Sequence, residues 1–525
     1  MTFEIVAAPI AQRASIPRFA PAVVGALILA AAALQLHWPP PSDASWLLTV
    51  CERMLAGQRL YVDIAELNPP MSPWLYLPWV VLARALGIAA ETVLAIGTIA
   101  VCLASIWLTD RVLSSADLLR SRSTWWIVGT FALIVAPIYT FAQREHFAVA
   151  FALPMLAAVA VRASGARVAS WAVVVTGLCA ALVVAVKPHF ALAIVLPIAS
   201  LCVARRSLRP AFARECLLGA AGLLGYLASV GVLYPDYYAT MLPVVVDVYL
   251  PNRNPLDILL SMPFTLVASL CVLACAMRDR DKGEPFTQTL LAAALGFFVA
   301  YLLQGRGWPY HLMPAVTLAI IAFGLSLKQP WSGQRPIGLR VIAAKAVGGL
   351  AAAGVLLSLV MSAVERNNGE LTFERAAAEA LAPLGGRLKM ALLSADLTLG
   401  SPLHRSIGAT LVNRGPSLWV AGNALDLLQK RPGDPRSERW RAAIEQDRSN
   451  LLEDMKRNPP DVIVAAYTLR DWLSWANEDP TLAEFLSTYS LFADVDAGGE
   501  KARILARPEA LRPQLRPSLD APPRP

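Results

Sequence analysis

The chain repeats one pattern: apolar stretches close to the length of a membrane-spanning helix, separated by short polar breaks. A hydrocarbon core needs about 20 apolar residues in a helix, because every backbone N–H and C=O must be paired within the segment. Runs that meet or approach this length are residues 20–36, 90–110, 124–141, 147–162, 169–186, 190–204, 216–234, 258–277, 287–303, 309–327 and 341–363. They predict an α-helical polytopic membrane protein with about eleven spans. Only 16% of the 525 residues are charged, against roughly 25% in soluble chains, which excludes a plain cytosolic enzyme. The first run follows Arg13 and Arg18 and is long enough to stay in the bilayer as a signal anchor.

Charge divides the chain. Residues 1–365 hold 25 Lys/Arg and 17 Asp/Glu, whereas residues 366–525 hold 21 of each. The shift predicts a membrane domain over 1–365, a small soluble α/β domain over 366–506, and a disordered Pro/Arg-rich tail over 507–525. Candidate strands in the soluble part are Lys389–Leu393, Ser417–Ala421, Val462–Ala466 and Ala502–Ala506, with a polar helix over Ser437–Lys456. The basic excess of the first part is a topology signal before it is a nucleic-acid footprint, so the expected surroundings are a lipid bilayer and no nucleic acid. The short apolar segment Pro73–Gly87 decides orientation. With it lying in the interface, 18 Lys/Arg of the membrane domain fall inside and 7 outside, which places the N-terminus inside and the soluble domain outside. The seven cysteines avoid the polar tail and read as small core hydrophobes.

Chemistry-bearing residues collect on the expected outer side. The long first loop, 37–89, carries Asp43 ahead of Trp46, Leu47, Val50 and Met54, a helical spacing that Gly57 ends. It continues through Asp63, Glu66 and Asn68-Pro-Pro, where a second short helix can begin. Asp43 is either a helix N-cap or a general base toward a hydroxyl; Asp63 and Glu66 are either solvated acids or substrate contacts. Further breaks hold Arg144-Glu145-His146, Lys187-Pro-His189, Arg253, and Gly-Arg306-Gly-Trp-Pro-Tyr310-His311. The bland reading of these is a set of snorkelling cations and interfacial aromatics. The sharper one is an anion site in which Lys187 and Arg306 meet phosphate and Tyr310 or His311 completes the hydrogen bonds.

The stretch Glu52-Arg53-Met-Leu-Ala-Gly57, then Tyr61-Val-Asp63 and Asn68-Pro-Pro-Met, together with Asp43, resembles the GT-C superfamily of polyprenyl-phosphate-dependent glycosyltransferases. The similarity lies nearest the bacterial branch of protein O-mannosyltransferases and aminoarabinose transferases. It covers mainly residues 20–200. The resemblance implies a bacterial inner membrane, a cytoplasmic N-terminus and a periplasmic C-terminal domain. It implies a polyprenyl-phosphate-linked sugar donor and a glycolipid, polysaccharide or protein acceptor. Asp43 matches the catalytic aspartate of the first loop, and Glu145 stands where a second acid is expected. Glu145 lies in Arg-Glu-His rather than beside an Asp, which leaves a divalent cation open. The implied reaction is inverting displacement with Asp43 as base. Alternatives are a non-catalytic GT-C-like assembly or export partner, and a lipid or solute transporter, although transporters tend to place charges near the midplane of paired repeats.

Overall fold

Apolar helices form at all eleven expected places. In the computed structural model, which describes residues 19–119, 121–277, 285–327, 339–368, 370–385 and 387–511, seven helices are long and apolar enough to cross a membrane. They are Ala20–His37, Ala90–Ser114, Arg144–Ala163, Arg214–Leu233, Pro285–Gln304, Pro309–Ser326 and Ile342–Leu384. Four shorter apolar helices, Arg122–Val135, Ser170–Val186, Pro188–Ala204 and Pro263–Ala276, occupy the remaining positions. Residues 1–18, with Arg13 and Arg18, lie outside the described residues. The protein is a polytopic membrane protein of largely helical architecture.

Two helices form the centre of the bundle. Arg144–Ala163 and Pro309–Ser326 each have 83% of their apolar window buried, whereas Arg214–Leu233 has 11%. Exposed Leu29, Val203 and Val232 suit a lipid-facing perimeter, since hydrocarbon carries no penalty against them. Close approach uses small residues. A methyl group added at Gly296 would collide with the Leu192 carbonyl oxygen, so Pro285–Gln304 can meet Ala191–Ala204 only with glycine there.

Two structural details shape the region where the chemistry gathers. Helix Ser42–Leu55 starts after Pro41 with no side-chain cap, so Asp43 stands in its first turn rather than capping it. A second helix, Met71–Leu86, begins behind Pro70 and packs on the first. Further on, Arg122–Thr130 passes into a π-helical turn, Phe131–Val135, and the chain then runs irregularly to Gln143. Such widened turns interrupt a helix where its wall must open.

The C-terminal part holds a five-stranded sheet: β1 Lys389–Leu393, β2 Thr410–Leu411, β3 Val462–Ala466, β4 Ser490–Ala497 and β5 Glu500–Ala506. The order is β2-β1-β3-β5-β4. Strands β2, β1 and β3 run parallel, and β5 and β4 complete the sheet antiparallel. Strand β3 is buried at every residue, as its Val-Ile-Val-Ala-Ala sequence demands. Ser417–Ala421 is not a strand. Its Trp-Val pair opens helix Trp419–Lys430, whose buried Trp419, Ala424 and Leu427 follow helical spacing; that amphipathic run outweighs the local β propensity. Strand β4 is an edge strand absent from the sequence expectation: Asp494 and Asp496 interrupt its apolar residues, and Val495 alone is fully buried. Arg507, at the start of the expected disordered tail, instead donates to the Pro460 carbonyl and ends the sheet in a turn; residues 512–525 lie outside the described residues.

This sheet domain is bolted to the loop region. Arg405 donates to both Glu52 carboxylate oxygens at 2.7 and 2.9 Å and to Glu91 at 2.6 Å. Arg53 donates to the carbonyls of Leu411 and Asn413, and the Ala65 amide to the Arg414 carbonyl at 2.8 Å. His404, buried, meets the Thr49 hydroxyl at 2.9 Å; burial lowers its pKa to about 4, so it joins the interface as a neutral ring. Arg405→Ala is expected to leave two carboxylates unpaired at this junction and to cost on the order of 2 kcal/mol. Faster trypsin cleavage between the two parts and a lower melting temperature in detergent would show it; unchanged proteolysis would contradict it.

Candidate active site

The helix starting at Arg144 places two opposite charges at its first turn, and each pairs with a different segment. Arg144 donates to Asp43 Oδ1 at 3.3 Å. Glu145 Oε1 accepts from Lys187 Nζ at 2.5 Å, and Lys187 also donates to Gln304 at 2.9 Å. Successive helical residues point about 100° apart, so Arg144 faces one way and Glu145 another. Arg144, Asp43 and Lys187 line a chamber of about 730 Å³. Glu145 lies behind its wall, fully buried, with His311 Nε2 at 3.7 Å.

Arg306 and Tyr310 complete the wall on this side, with Tyr249 and Trp308. Arg306 donates to the Asn252 carbonyl at 2.5 Å and to Asn423 Oδ1 at 2.8 Å. Its guanidinium lies 4.3 Å from the Tyr249 ring and 4.9 Å from the Trp308 ring. Among the described residues Arg306 has no carboxylate partner. Asp43 is held up above the ordinary carboxylate range: burial raises its pKa most, nearby Glu145 raises it further, and Arg144, Lys187 and a Tyr310 hydrogen bond oppose that.

The roof comes from the C-terminal domain. Ser394, Ala395 and Asp396 follow β1, and Ala466 and Thr468 stand at the end of β3. The chamber therefore opens at the carboxyl edge of the parallel strands, where α/β sheets commonly bind ligands. Helix Trp419–Lys430 adds Trp419, Asn423 and Asp426. A small recess of about 30 Å³, lined by Phe264, Met313, Val316 and Ile320 with Thr140, Thr317, Ser358 and Ser362, abuts the chamber through their shared Tyr139 and Pro309.

The other residues singled out from sequence stand elsewhere. Asp63 is half-exposed and pairs with Arg59, accepting from its amide at 2.8 Å. Glu66 is buried and accepts from Trp46 at 2.6 Å and from the Asn68 amide at 2.8 Å, which fixes the loop rather than facing the chamber. His146 is locked behind the wall by the Leu133 carbonyl at 2.6 Å and the Ala142 amide at 3.1 Å. His189 stacks edge-on against Phe190, outside the chamber wall. Arg253 donates to the Leu302 carbonyl at 2.8 Å under the Gly305 turn. His311 sits beside Glu145, under Trp308 and Tyr310. Sequence reading missed the whole roof, Asn423 above all; nothing in a soluble helix's sequence says which loop it will cover. Among the described residues no group of three or more His, Cys, Asp or Glu is placed to hold a metal ion.

No family model matches the chain, and no curated protein does. Among solved structures, the chain is similar to ArnT from Cupriavidus metallidurans in the apo state: TM-score 0.53, 12% identity, over 93% of this chain and 97% of that one. It is also similar to ArnT from Cupriavidus metallidurans bound to undecaprenyl phosphate, with TM-score 0.49 and 14% identity, over 94% of this chain and 99% of that one. A further likeness is to arabinofuranosyltransferase AftD from Mycobacteria, with TM-score 0.44 and 15% identity, over 93% of this chain and 40% of that one. What the chain shares with apo ArnT at such low identity is its fold.

Removing one member of the buried pair tests how the site is held. Glu145→Ala should cost about 3–5 kcal/mol by stranding the Lys187 ammonium. Replacing Glu145 and Lys187 together with apolar residues should restore most of that loss. Thermal unfolding in detergent reads both, and an unchanged melting temperature in the single variant would refute the account.

Proposed function

We propose that this membrane protein is a glycosyltransferase that moves a sugar from a polyprenyl-phosphate donor to an acceptor hydroxyl. The reaction takes place at the periplasmic face of a bacterial inner membrane, with the N-terminus cytoplasmic and the sheet domain, 366–506, periplasmic. The observation that carries the reading is the meeting of Asp43 with Arg144, Lys187, Arg306 and Tyr310 around one chamber. Cations suit the donor's phosphate, and the carboxylate suits a hydroxyl.

The acceptor oxygen attacks the anomeric carbon from the face opposite the phosphate, so configuration inverts. The C–O bond to phosphate breaks as the new one forms. Asp43 takes the acceptor's proton, and its raised pKa makes it a better base than an ordinary aspartate. The leaving polyprenyl phosphate gains negative charge, and Arg306 and Lys187 stand ready before that charge appears. Glu145 acts from behind the wall by holding Lys187 in place. Asp43 is paired with Arg144 and Glu145 with Lys187, and a divalent cation would have to displace those partners. No step is routed through one. The glycolipid, polysaccharide or protein nature of the acceptor is set by the roof.

Asp43→Asn should lower the transfer rate by roughly 10²–10⁴-fold while leaving membrane insertion intact. Full activity in that variant would remove Asp43 from the mechanism. The same assay has a pH signature. The base must be ionised, so a raised pKa makes the rate fall as pH drops, starting above the range of an ordinary aspartate. A rate flat from neutral to mildly acidic pH would contradict the role.

A further inference from the structure

Arg306 is carried by a turn that does not hold itself. Gly305 and Gly307 on either side have φ of +67° and +74°, a region that side chains disfavour and glycine enters freely. The turn is steadied from outside. The Asn254 amide donates to the Gly305 carbonyl at 2.7 Å, and the Asn254 side chain to the Arg306 carbonyl at 2.8 Å. The guanidinium itself is aimed by two oxygens, the Asn252 carbonyl and Asn423 Oδ1.

Asn423 belongs to the C-terminal domain. Its side-chain NH₂ donates one turn back to the Trp419 carbonyl at 2.7 Å. That bond turns the oxygen toward Arg306 and toward the Asn252 side-chain NH₂, which donates to it at 2.9 Å. Helix Trp419–Lys430 therefore presents one neutral oxygen to two donors of the membrane part. Neutrality matters here. A carboxylate at this position would hold the guanidinium at least as firmly, but it would also cancel the charge. Arg144 and Lys187 are already compensated by Asp43 and Glu145, whereas Arg306, like Lys430 and Arg470 of the roof, lines the chamber with no carboxylate partner among the described residues.

We propose that Asn423 is a positioning residue that aims the Arg306 guanidinium at the donor phosphate without neutralising it, which makes the C-terminal domain a working part of the phosphate site. This rests on the glycosyltransferase reading above, and specifically on Arg306 binding phosphate.

The test uses the full chain in detergent, farnesyl phosphate as the probe, and its dissociation constant as the readout. Asn423→Ala is expected to weaken binding by about tenfold, the usual weight of a hydrogen bond to a charged group. Asn423→Asp should weaken it at least as much, although Asp has nearly the same shape. Arg306→Ala should weaken binding too, and adding either Asn423 variant to it should bring no further loss. A purely structural Asn423 would give additive losses and partial rescue by Asp; either result overturns the proposal. If Arg306→Ala weakens binding and both Asn423 variants bind as the unaltered chain does, this inference alone falls. If Arg306→Ala leaves binding untouched, the inference falls together with the phosphate role on which it rests.

Discussion

Two neighbouring residues of opposite sign organise the centre of this molecule. Arg144 and Glu145 open one deeply buried helix, and burying a lone charge there would cost several kcal/mol. Each therefore has to find its counter-charge on a different piece of chain: Asp43 on the first loop helix, Lys187 at the break between two later spans. The requirement ties residues 43, 144–145 and 187 into one unit. Gln304 joins through Lys187 and brings the Arg306 turn with it. The pairs fix where the loop and the breaks may sit before any ligand arrives.

The second constraint is that a membrane bundle cannot roof its own active chamber with regular structure. Irregular backbone is tolerated only where it is buried in protein or faces water. Here the irregular stretch 136–143, the loop 59–70 and the Arg306 turn are covered from above by the sheet domain. Its parallel strands end over the chamber, and Arg405 ties it to Glu52 of the first loop helix and to Glu91 at the start of the span Ala90–Ser114. The domain supplies what the bundle lacks, namely ordered polar groups at a fixed height over the pairs.

Much of this was legible in the sequence because hydrocarbon thickness imposes a coarse ruler. The apolar runs gave the helices, and the polar breaks between them gave the pool from which Asp43, Arg144, Lys187, Arg306 and Tyr310 are drawn to the chamber wall. Direction was not legible. Arg144, Glu145 and His146 are consecutive on one helix, so at most one or two can face the same space. Which does so depends on helix rotation, and that is set by packing against neighbours. Glu66 looked like a solvated or substrate-facing acid, yet Trp46 and Asn68 enclose it. The Ser417–Ala421 segment misled through its Trp-Val pair, because burial of a helical face outweighs a two-residue preference.

In the proposed reaction, the charge pairs around the chamber separate resting from reacting states. Asp43 is set against Arg144 and Glu145 against Lys187, while Arg306 has no carboxylate partner among the described residues. On that reading a bound phosphate meets Arg306 directly and two other cations, Arg144 and Lys187, that are shared with carboxylates. On the proposed mechanism, Asp43 stops competing for Arg144 when it takes the acceptor's proton, at the moment the leaving phosphate gains charge. The guanidinium that pairs with the base then faces the developing dianion, so that proton transfer and leaving-group stabilisation are coupled through one side chain.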